Sequence, residues 1–578
     1  MNDGPERAPD GSGRVLPIVF GVVLGLAVCV CAWGATAGAV FGAGAPPVNT
    51  AELAHVLATL PNHLVDPRLA WPASTRASLP GPLGFYASLV LLSTIVCLGA
   101  TVVMRWRGHG HPQAGAQQGA SWARRADLVS LRQASRWKSL SPRRAATAPG
   151  RMALGWNGRH LLRAEERHAL VVFGPPQSGK SAGLAVGALL EWEGPAIASS
   201  IKTDLLQATV ARRRMLGRVF VFDPFGLSGE PTDTWSPLRG ATSFDGALEV
   251  AHRLASAGEI DQRSVESGEF WTVAAEQRLA PLLYAAACTG RGVAALVRWA
   301  YGQGGHELLD ALQGLVRGAG SEARRNDAQA AYDAAAAFAA QPERTRGSIE
   351  GTVQALLRVY RSGRVQRSAA SSDITPAGLL DGNNTLYLVG DAKASRLLRP
   401  IFLALLGELI DHAYSEANFN GGRLRTPLLL CLDELGNVAP VPNLAEIAST
   451  APSHNIQLVS VFHDVAQSRA RYGRHAETVI NSHRARMLLP GLADLETLRY
   501  FSGLVGDQLA RDHSRTTGPG YETRSENPAR RPLAPPEQLR QLPDGHALLV
   551  YGRLPPAIIR LRMWFEDGRL RELADAPS

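Results

Sequence analysis

The stretch VVFGPPQSGKSAGLAVGALLEW, from Val171 to Trp192, joins a short apolar run to a helical pattern through a turn that contains glycine. Its centre matches the pattern G-x-x-x-x-G-K-[ST], in which the curled backbone and the N-terminus of the following helix face phosphate groups. In that pattern Lys180 reaches the β- and γ-phosphates and Ser181 offers a hydroxyl to Mg²⁺. The sequence therefore predicts a site for ATP and Mg²⁺ formed by Gly174, Pro175, Pro176, Gln177, Ser178, Gly179, Lys180 and Ser181.

A second motif, PLLLCLDELGN, supplies the acidic residues that such a site requires. Asp433 follows an apolar strand, where its carboxylate can hold the magnesium shell, and Glu434 beside it can polarise an attacking water. Acidic pairs after strands also serve as plain helix caps. Because a phosphate loop lies upstream, we expect Asp433 to be a metal ligand and Glu434 to be catalytic.

Three further polar residues follow predicted strands. Lys202 and Asp204 lie in ASSIKTDLL, and Asp223 lies in VFDPFG. A role at the site and a role in a local ion pair or turn cap are equally compatible with these positions.

The order of patterns predicts an α/β fold with a parallel sheet and helices on both faces. Strand signals occur in 161–241 and return in 376–565, whereas 242–375 shows only helical periodicity. We therefore expect one domain interrupted by an all-helical insertion. The polar stretch RDHSRTTGPGYETRSENPARRPLAPPEQ is predicted to be a mobile loop, and 566–578 a C-terminal tail.

Two uncharged stretches, 15–44 and 84–104, are each long enough to cross a membrane. Arginine is sparse in the segment between them, 45–83, and frequent after the second, which by the positive-inside rule places both termini, including the tail 1–14, in the cytoplasm. The basic linker 105–160 would then lie against the inner membrane face, where it could bind lipid headgroups or, as the less favoured alternative, DNA.

The formal net charge of +9 favours an acidic partner, such as nucleic acid or an anionic membrane surface. The five cysteines fit neither a disulfide framework nor a zinc site. Redox chemistry and structural zinc are therefore not expected.

These motifs, taken in their order along the chain, resemble those of the type IV secretion coupling proteins, the VirD4/TraG family of conjugative DNA-transfer ATPases, close to its actinobacterial branch. The resemblance covers nearly the whole chain. Besides the phosphate loop and the acidic motif, it rests on SIKTDLL, TWSPL, FWTVAAEQRLAPLL, LDELGNVAPVPNLAEIAST, NIQLVSVFHDVAQSRARYG and LPDGHALLVYGRLPPAIIRLRMWF.

The resemblance implies a RecA-like P-loop NTPase domain with a helical insertion, anchored by two N-terminal transmembrane helices and assembled as a homo-hexamer at the inner membrane. It implies that ATP hydrolysis drives single-stranded DNA, with its attached relaxase, towards a type IV secretion channel. The positive charge fits that substrate, because basic side chains bind phosphates without regard to base sequence.

Two positions depart from the family pattern. Where members usually have a glutamine before aspartate at the end of a strand, this chain has His463, whose neutral imidazole can still bond a phosphate oxygen or a water. Where members have an arginine that reaches the neighbouring subunit's nucleotide, this chain has Pro452, and Arg469 and Arg471 lie nearby in sequence. Loss of such an arginine would slow turnover by about 10³- to 10⁵-fold.

Four functions remain open on these grounds, and a protein-only secretion ATPase is the least favoured of them. The leading one is a DNA-coupling ATPase with His463 and Lys180 in catalytic roles. A hydrolysis-deficient docking receptor of the same family is favoured by Pro452 and His463, and an FtsK-like DNA translocase is disfavoured by the helical insertion.

Overall fold

The computed structural model describes residues 15–47, 49–107, 119–132, 150–262, 268–303, 306–518 and 521–575. It divides into two units, 1–116 and 117–578, and each is described by itself.

Within its described residues the N-terminal unit contains the α-helices α1 (Val15–Phe41), α2 (Thr50–Thr59) and α3 (Pro82–Arg107). The indole of Trp33 in α1 donates to the carbonyl of Phe85 in α3 at 2.8 Å. Among the residues described, α3 is the helix long and apolar enough to span a membrane, whereas the apolar segment Ala27–Phe41 of α1 is shorter. One predicted span is thus supported by its length, and the other stays a prediction.

The second unit contains thirteen strands in its described residues. They are β1 (Ala153–Asn157), β2 (His160–Arg163), β3 (Ala169–Phe173), β4 (Ala196–Ser200), β5 (Val219–Phe222), β6 (Thr385–Val389), β7 (Leu428–Leu432), β8 (Ile456–Phe462), β9 (Ala485–Leu488), β10 (Asp507–Gly518), β11 (Tyr521–Pro532), β12 (His546–Tyr551) and β13 (Ala557–Arg560).

The α-helices of this unit continue the numbering of the first. They are α4 (Val186–Glu191), α5 (Asp204–Leu216), α6 (Phe244–Gln262), α7 (Gly268–Cys288), α8 (Gly292–Ala300), α9 (Glu307–Arg317), α10 (Glu322–Ala339), α11 (Glu343–Leu357), α12 (Gly363–Ser368), α13 (Pro376–Leu380), α14 (Ala392–Phe419), α15 (Leu435–Val438), α16 (Leu444–Thr450), α17 (Val465–Tyr472), α18 (Ala476–Ser482), α19 (Leu495–Val505), α20 (Pro536–Arg540) and α21 (Gly568–Ala574).

Eleven strands form one sheet in the order β2-β1-β13-β12-β9-β3-β8-β7-β4-β6-β5. The seven from β9 to β5 are parallel to their neighbours, and β12, β13, β1 and β2 extend the sheet as antiparallel strands. Side chains of β3 and β7 alternate between two buried apolar clusters, one on each face of the sheet. Burial on both faces explains why the parallel strands are almost wholly apolar.

The region of the predicted helical insertion is occupied by a run of helices. Helices α6 to α12 lie between β5 and β6, and the described residues of 242–375 include no strand. Since β5 and β6 are neighbours in the sheet, the insertion occupies the place of an ordinary crossover connection.

Three expectations need correction. The stretch 511–538, predicted as a mobile loop, contributes most of the hairpin β10–β11, which pairs from Asp507 with Pro532 to Gly518 with Tyr521. Its sequence is polar throughout, so the apolar alternation that marks a half-buried strand is absent. Strand β1 lies inside the predicted linker 105–160, and α21, with Leu570 buried, lies inside the predicted tail 566–578.

Candidate nucleotide site

The phosphate loop connects β3 to a single π-helical turn, Ser181–Ala185, that leads into α4. Gly179 has a φ of +88°, and a Cβ atom at Gly174 would lie 2.6 Å from the hydroxyl oxygen of Ser178. Gly179 is therefore required by the backbone path, and Gly174 by the small space that the Ser178 hydroxyl and the Cβ of Leu489 leave, as the motif predicts. The Ser178 hydroxyl is buried without a hydrogen-bond partner inside the loop.

Lys180 is buried and points back over the loop. Its Nζ donates to the carbonyls of Gly174 at 2.6 Å and Pro175 at 3.2 Å, and lies 3.6 Å from Oε1 of Glu434. Burial lowers the pKa of Lys180, while the charges of Glu434 and Asp433 act in the opposite direction. The ammonium is thus held where a phosphate oxygen could replace its carbonyl partners.

Ser181 and Asp433 meet across the end of the sheet. The Ser181 hydroxyl donates to Oδ2 of Asp433 at 2.5 Å, and the Asp433 side chain is buried. Burial raises the pKa of Asp433 to about 6, assisted by the charge of Glu434 and opposed by the Ser181 hydrogen bond. A hydroxyl beside a carboxylate is the oxygen donor set that Mg²⁺ accepts in such sites.

Glu434 lies at the start of α15 in the left-handed region, with φ 54° and ψ 38°. Non-glycine residues rarely adopt this conformation, which is concentrated at functional sites. Burial acts to raise the pKa of Glu434, but the contacts with His463 and Lys180 outweigh it and lower the pKa. The carboxylate is therefore ionised near neutral pH, as a proton acceptor requires.

His463 bridges the lysine and the glutamate. Its Nδ1 lies 3.1 Å from Nζ of Lys180, and its Nε2 lies 2.7 Å from Oε2 of Glu434. Since an ammonium only donates and a carboxylate only accepts, the neutral tautomer that satisfies both contacts carries its proton on Nε2. The three predicted catalytic residues are thus in direct contact.

Two amides that sequence reasoning missed complete this cluster. Asn437 Nδ2 donates to Oε2 of Glu434 at 3.0 Å, and Gln467 Nε2 donates to Oδ1 of Asn437 at 3.2 Å. Gln467 Oε1 also accepts from the backbone N–H of His463 at 2.9 Å. The only sequence signal was their spacing, three residues after Glu434 and four after His463.

A cleft of about 860 Å³ is lined by most of the site residues described above, but not by Gln467, and Lys202 and Asp204 line it as well. Asp223 is engaged elsewhere, since its Oδ2 accepts from the backbone and hydroxyl of Ser228 at 2.6 and 2.8 Å. The structure therefore brings Lys202 and Asp204 to the site and gives Asp223 the turn-cap role.

Pro452 lies far from this cleft along the sheet. It belongs to the 3₁₀ turn Ala451–His454, which precedes β8, while His463 follows β8 at the opposite end. Arg469 contacts the carboxylates of Glu477 and Glu496. The turn contains no arginine of its own, but Leu424, which has Arg423 and Arg425 as chain neighbours, donates its N–H to the carbonyl of His454 at 3.0 Å.

Comparison with known families gives one match over most of the chain. Residues 121–577 match the family described as type IV secretory system conjugative DNA transfer. The chain is 22% identical over 575 residues to the conjugal transfer protein TraG of Escherichia coli, which covers 89% of this chain and 88% of the relative. It is 22% identical over 499 residues to protein VirD4 of Agrobacterium fabrum, which covers 85% of this chain and 71% of the relative.

Solved structures with a similar fold include the bacterial conjugative coupling protein TrwBdeltaN70 in complex with sulphate, with a TM-score of 0.55 and 17% identity over 78% of this chain and 96% of that chain. The plasmid coupling protein TrwB in complex with ADP and Mg²⁺ gives a TM-score of 0.52 and 18% identity over 69% of this chain and 85% of that chain. This likeness supports the predicted RecA-like P-loop fold.

Proposed function

Because the chain belongs to the family of type IV secretory system conjugative DNA transfer proteins, we propose that it is a membrane-anchored ATPase that couples DNA to a type IV secretion channel. The observation that carries this proposal is the convergence of Lys180, Ser181, Asp433 and Glu434 in one cleft at the carboxyl ends of β3 and β7. In parallel sheets this is where ligands bind.

The residues of the cleft fit ATP and Mg²⁺. The loop presents backbone N–H groups, a buried lysine and the unpartnered hydroxyl of Ser178, all of which suit phosphate oxygens. Asp433 and Ser181 would hold Mg²⁺, which when bound neutralises phosphate charge and orients the transferring group. The complex of TrwB with ADP and Mg²⁺ supports this proposal.

Each side chain of the cleft has a separate role in the proposed reaction. Lys180 would stabilise negative charge on the phosphates, and Glu434 would orient a water and accept its proton. His463 keeps Glu434 in place through Nε2 and lies beside Lys180 through Nδ1. Asn437 and Gln467 are positioning residues that restrict the rotation of Glu434 and His463.

The finer details of the proposal come from the family. We propose a homo-hexamer, single-stranded DNA or a relaxase–DNA complex as substrate, secretion channel proteins as partners, and two membrane spans with both termini in the cytoplasm. The length and composition of α3 support one of those spans.

A second candidate is a docking receptor of the same family that binds ATP without turning it over. The specific observation in its favour is Pro452, which leaves the 3₁₀ turn before β8 without an arginine. Arg469, which is held by two carboxylates, is poorly placed to substitute. Arg425, exposed and one residue from Leu424, is the better substitute for a contact with the neighbouring subunit.

The deciding experiment measures steady-state ATP hydrolysis by the full chain in detergent micelles, with and without single-stranded DNA, together with ATP binding. Glu434→Gln removes the proton acceptor while keeping the shape of the side chain. We expect turnover to fall by about 10²- to 10⁴-fold and ATP affinity to change little.

Wild-type protein that hydrolyses ATP, with stimulation by DNA, supports the coupling ATPase. Wild-type protein that assembles and binds ATP but matches Glu434→Gln in turnover supports the receptor. Arg425→Ala then tests the substitute arginine, since its loss should lower turnover without lowering ATP affinity.

A further inference from the structure

Four exposed arginines form a row at the end of the helical insertion. This arginine row consists of Arg358 and Arg361 on the 3₁₀ turn Arg358–Arg361, and Arg364 and Arg367 on α12. In a 3₁₀ turn residues i and i+3 eclipse one another, and in an α-helix they are surface neighbours, so the row consists of two such pairs on either side of the extended residue Ser362. Val359, Tyr360 and Val365 between them are buried, so the segment is anchored by one side and presents arginine on the other.

No carboxylate among the described residues neutralises the charges of the row. No acidic residue occurs from Gly351 to Ser372, and across the described part of the chain no carboxylate pairs with any of the four guanidinium groups. By contrast, Arg253, Arg291 and Arg298 of the same insertion lie 2.9, 2.6 and 3.0 Å from carboxylates of Asp411, Glu307 and Glu307.

Neutral groups hold two of the four side chains in place. The guanidinium of Arg361 lies 5.3 Å from the centre of the Tyr301 ring, and Arg364 donates to the carbonyl of Phe225 at 3.3 Å. Such contacts orient a guanidinium while keeping its full charge for a partner. Two members of the row are therefore oriented, and no carboxylate among the described residues neutralises any of the four.

The row is separate from the nucleotide cleft. Phe225 closely follows β5, the outermost strand of the sheet, whereas the phosphate loop follows β3, five strand positions away. At about 4.8 Å between neighbouring strands, the two sites are roughly 24 Å apart along the edge where the parallel strands end.

We propose that the arginine row binds the phosphate backbone of single-stranded nucleic acid. Guanidinium groups match phosphate oxygens bidentately, and several in series give affinity that is independent of base sequence. The identity of the polyanion rests on the proposed function, but the existence of the binding surface does not.

The test compares binding of a fluorescein-labelled 20-mer of deoxythymidine by the full chain in micelles at several salt concentrations, without ATP. The row variant replaces Arg358, Arg361, Arg364 and Arg367 by glutamine. The control variant replaces Arg291, Arg298, Arg324 and Arg325 of the same insertion by glutamine, so that net charge falls equally. A third variant places lysine at the four row positions and keeps the charge.

In the row variant we expect at least tenfold weaker binding at 100 mM salt, and a slope of log affinity against log salt that is shallower by about 3, at about 0.7 per phosphate contact. The control and lysine variants should stay close to wild type, and unchanged ATP binding by all three shows that they are folded.

Row and control variants with the same affinity and slope would overturn the proposal, and so would wild-type protein that fails to bind the oligonucleotide. The proposal would also be overturned if the row variant lost affinity for a 20-residue polyglutamate by the same factor as for the oligonucleotide. The row would then bind any polyanion and not nucleic acid in particular. A chain that binds DNA through the row but never hydrolyses ATP would contradict the proposed ATPase and leave this inference standing.

Discussion

The nucleotide cleft and the arginine row use charge in opposite ways. In the cleft Lys180, Glu434 and His463 are partly or wholly buried and contact one another within 3.6 Å. In the row four arginines are exposed, and two of them contact only neutral groups. Reaction at one phosphate requires the catalytic side chains to keep a single geometry, and the contacts among them maintain it. Binding a nucleic-acid backbone of variable sequence requires unpaired positive charge, and ion pairs within the protein would cancel that charge.

The largest effect on the contrast between cleft and row is expected when the buried lysine of the cleft is removed. Lys180→Ala should lower ATP turnover by about 10³-fold, equivalent to about 4 kcal/mol of barrier, because the buried ammonium stabilises developing charge. DNA binding measured without nucleotide should be unchanged. The matched control is Lys202→Ala, which removes an exposed lysine of the same cleft and should cost far less. Equal losses in the two variants would show that Lys180 has no special position.

The next prediction concerns the folding free energy that burial of the Asp433 carboxylate costs. The pKa of Asp433 is about 6 in the folded protein, well above that of an unfolded aspartate, so folding stability falls as the pH rises through the interval between the two values. Asp433→Asn should therefore raise the free energy of unfolding above pH 6, by up to about 3 kcal/mol, and lose this advantage below about pH 4. Thermal unfolding of the free protein followed from pH 4 to pH 8 measures this difference.

Asp433→Asn should at the same time weaken binding of ATP with Mg²⁺, because the carboxylate is the proposed metal ligand. An asparagine variant that is less stable than wild type at pH 7.5 would contradict the conclusion that burial of the Asp433 carboxylate costs stability.

A smaller effect is expected from the amides behind Glu434. Asn437→Ala should lower kcat by about tenfold, or about 1.4 kcal/mol, with KM within twofold, because the substrate contacts stay in place while Glu434 gains freedom to rotate. The control is Asn443→Ala, since Asn443 is exposed and its side chain caps no helix. A change in KM alone would assign Asn437 to binding instead of positioning.

The smallest effect tests the other side of the comparison. Arg361→Gln should weaken DNA binding only about twofold to threefold and reduce the salt slope by about 0.7, the contribution of one phosphate contact. Turnover without DNA should not change. Oligonucleotide titrations at three salt concentrations measure both quantities, and a tenfold loss from this single change would indicate a specific contact instead of an additive row.

The parallel strands were predictable from sequence because each is apolar, short and bounded by turn residues, as in HALVVFG and PLLLCLDE. The proximity of Ser181 and Asp433 was predictable because each lies in a motif that follows a strand of the same parallel sheet. Strand β1 was missed because it is a short antiparallel addition, and the hairpin β10–β11 because its sequence is mostly polar.

The remaining site residues are harder to predict from the sequence. Asn437 and Gln467 act through amide hydrogen bonds whose partners are distant in the chain or lie across a turn, and no motif marks such pairs. The arginine row is inconspicuous in a chain where nearly all positive charge is arginine. Only the structure shows that its members lack carboxylate partners among the residues described.

The position of the helical insertion has an evolutionary consequence. Its ends join β5 and β6, which are adjacent and parallel at the end of the sheet, and residues 223–384 between them can vary in length without changing any strand order. Each doubling of the length of a connection costs only about 0.6 kcal/mol of closure entropy. During evolution the insertion could therefore be exchanged, lengthened or shortened by recombination at two nearby points. Changes in the proposed DNA-binding row could then accumulate in the insertion while the residues of the nucleotide cleft stay the same.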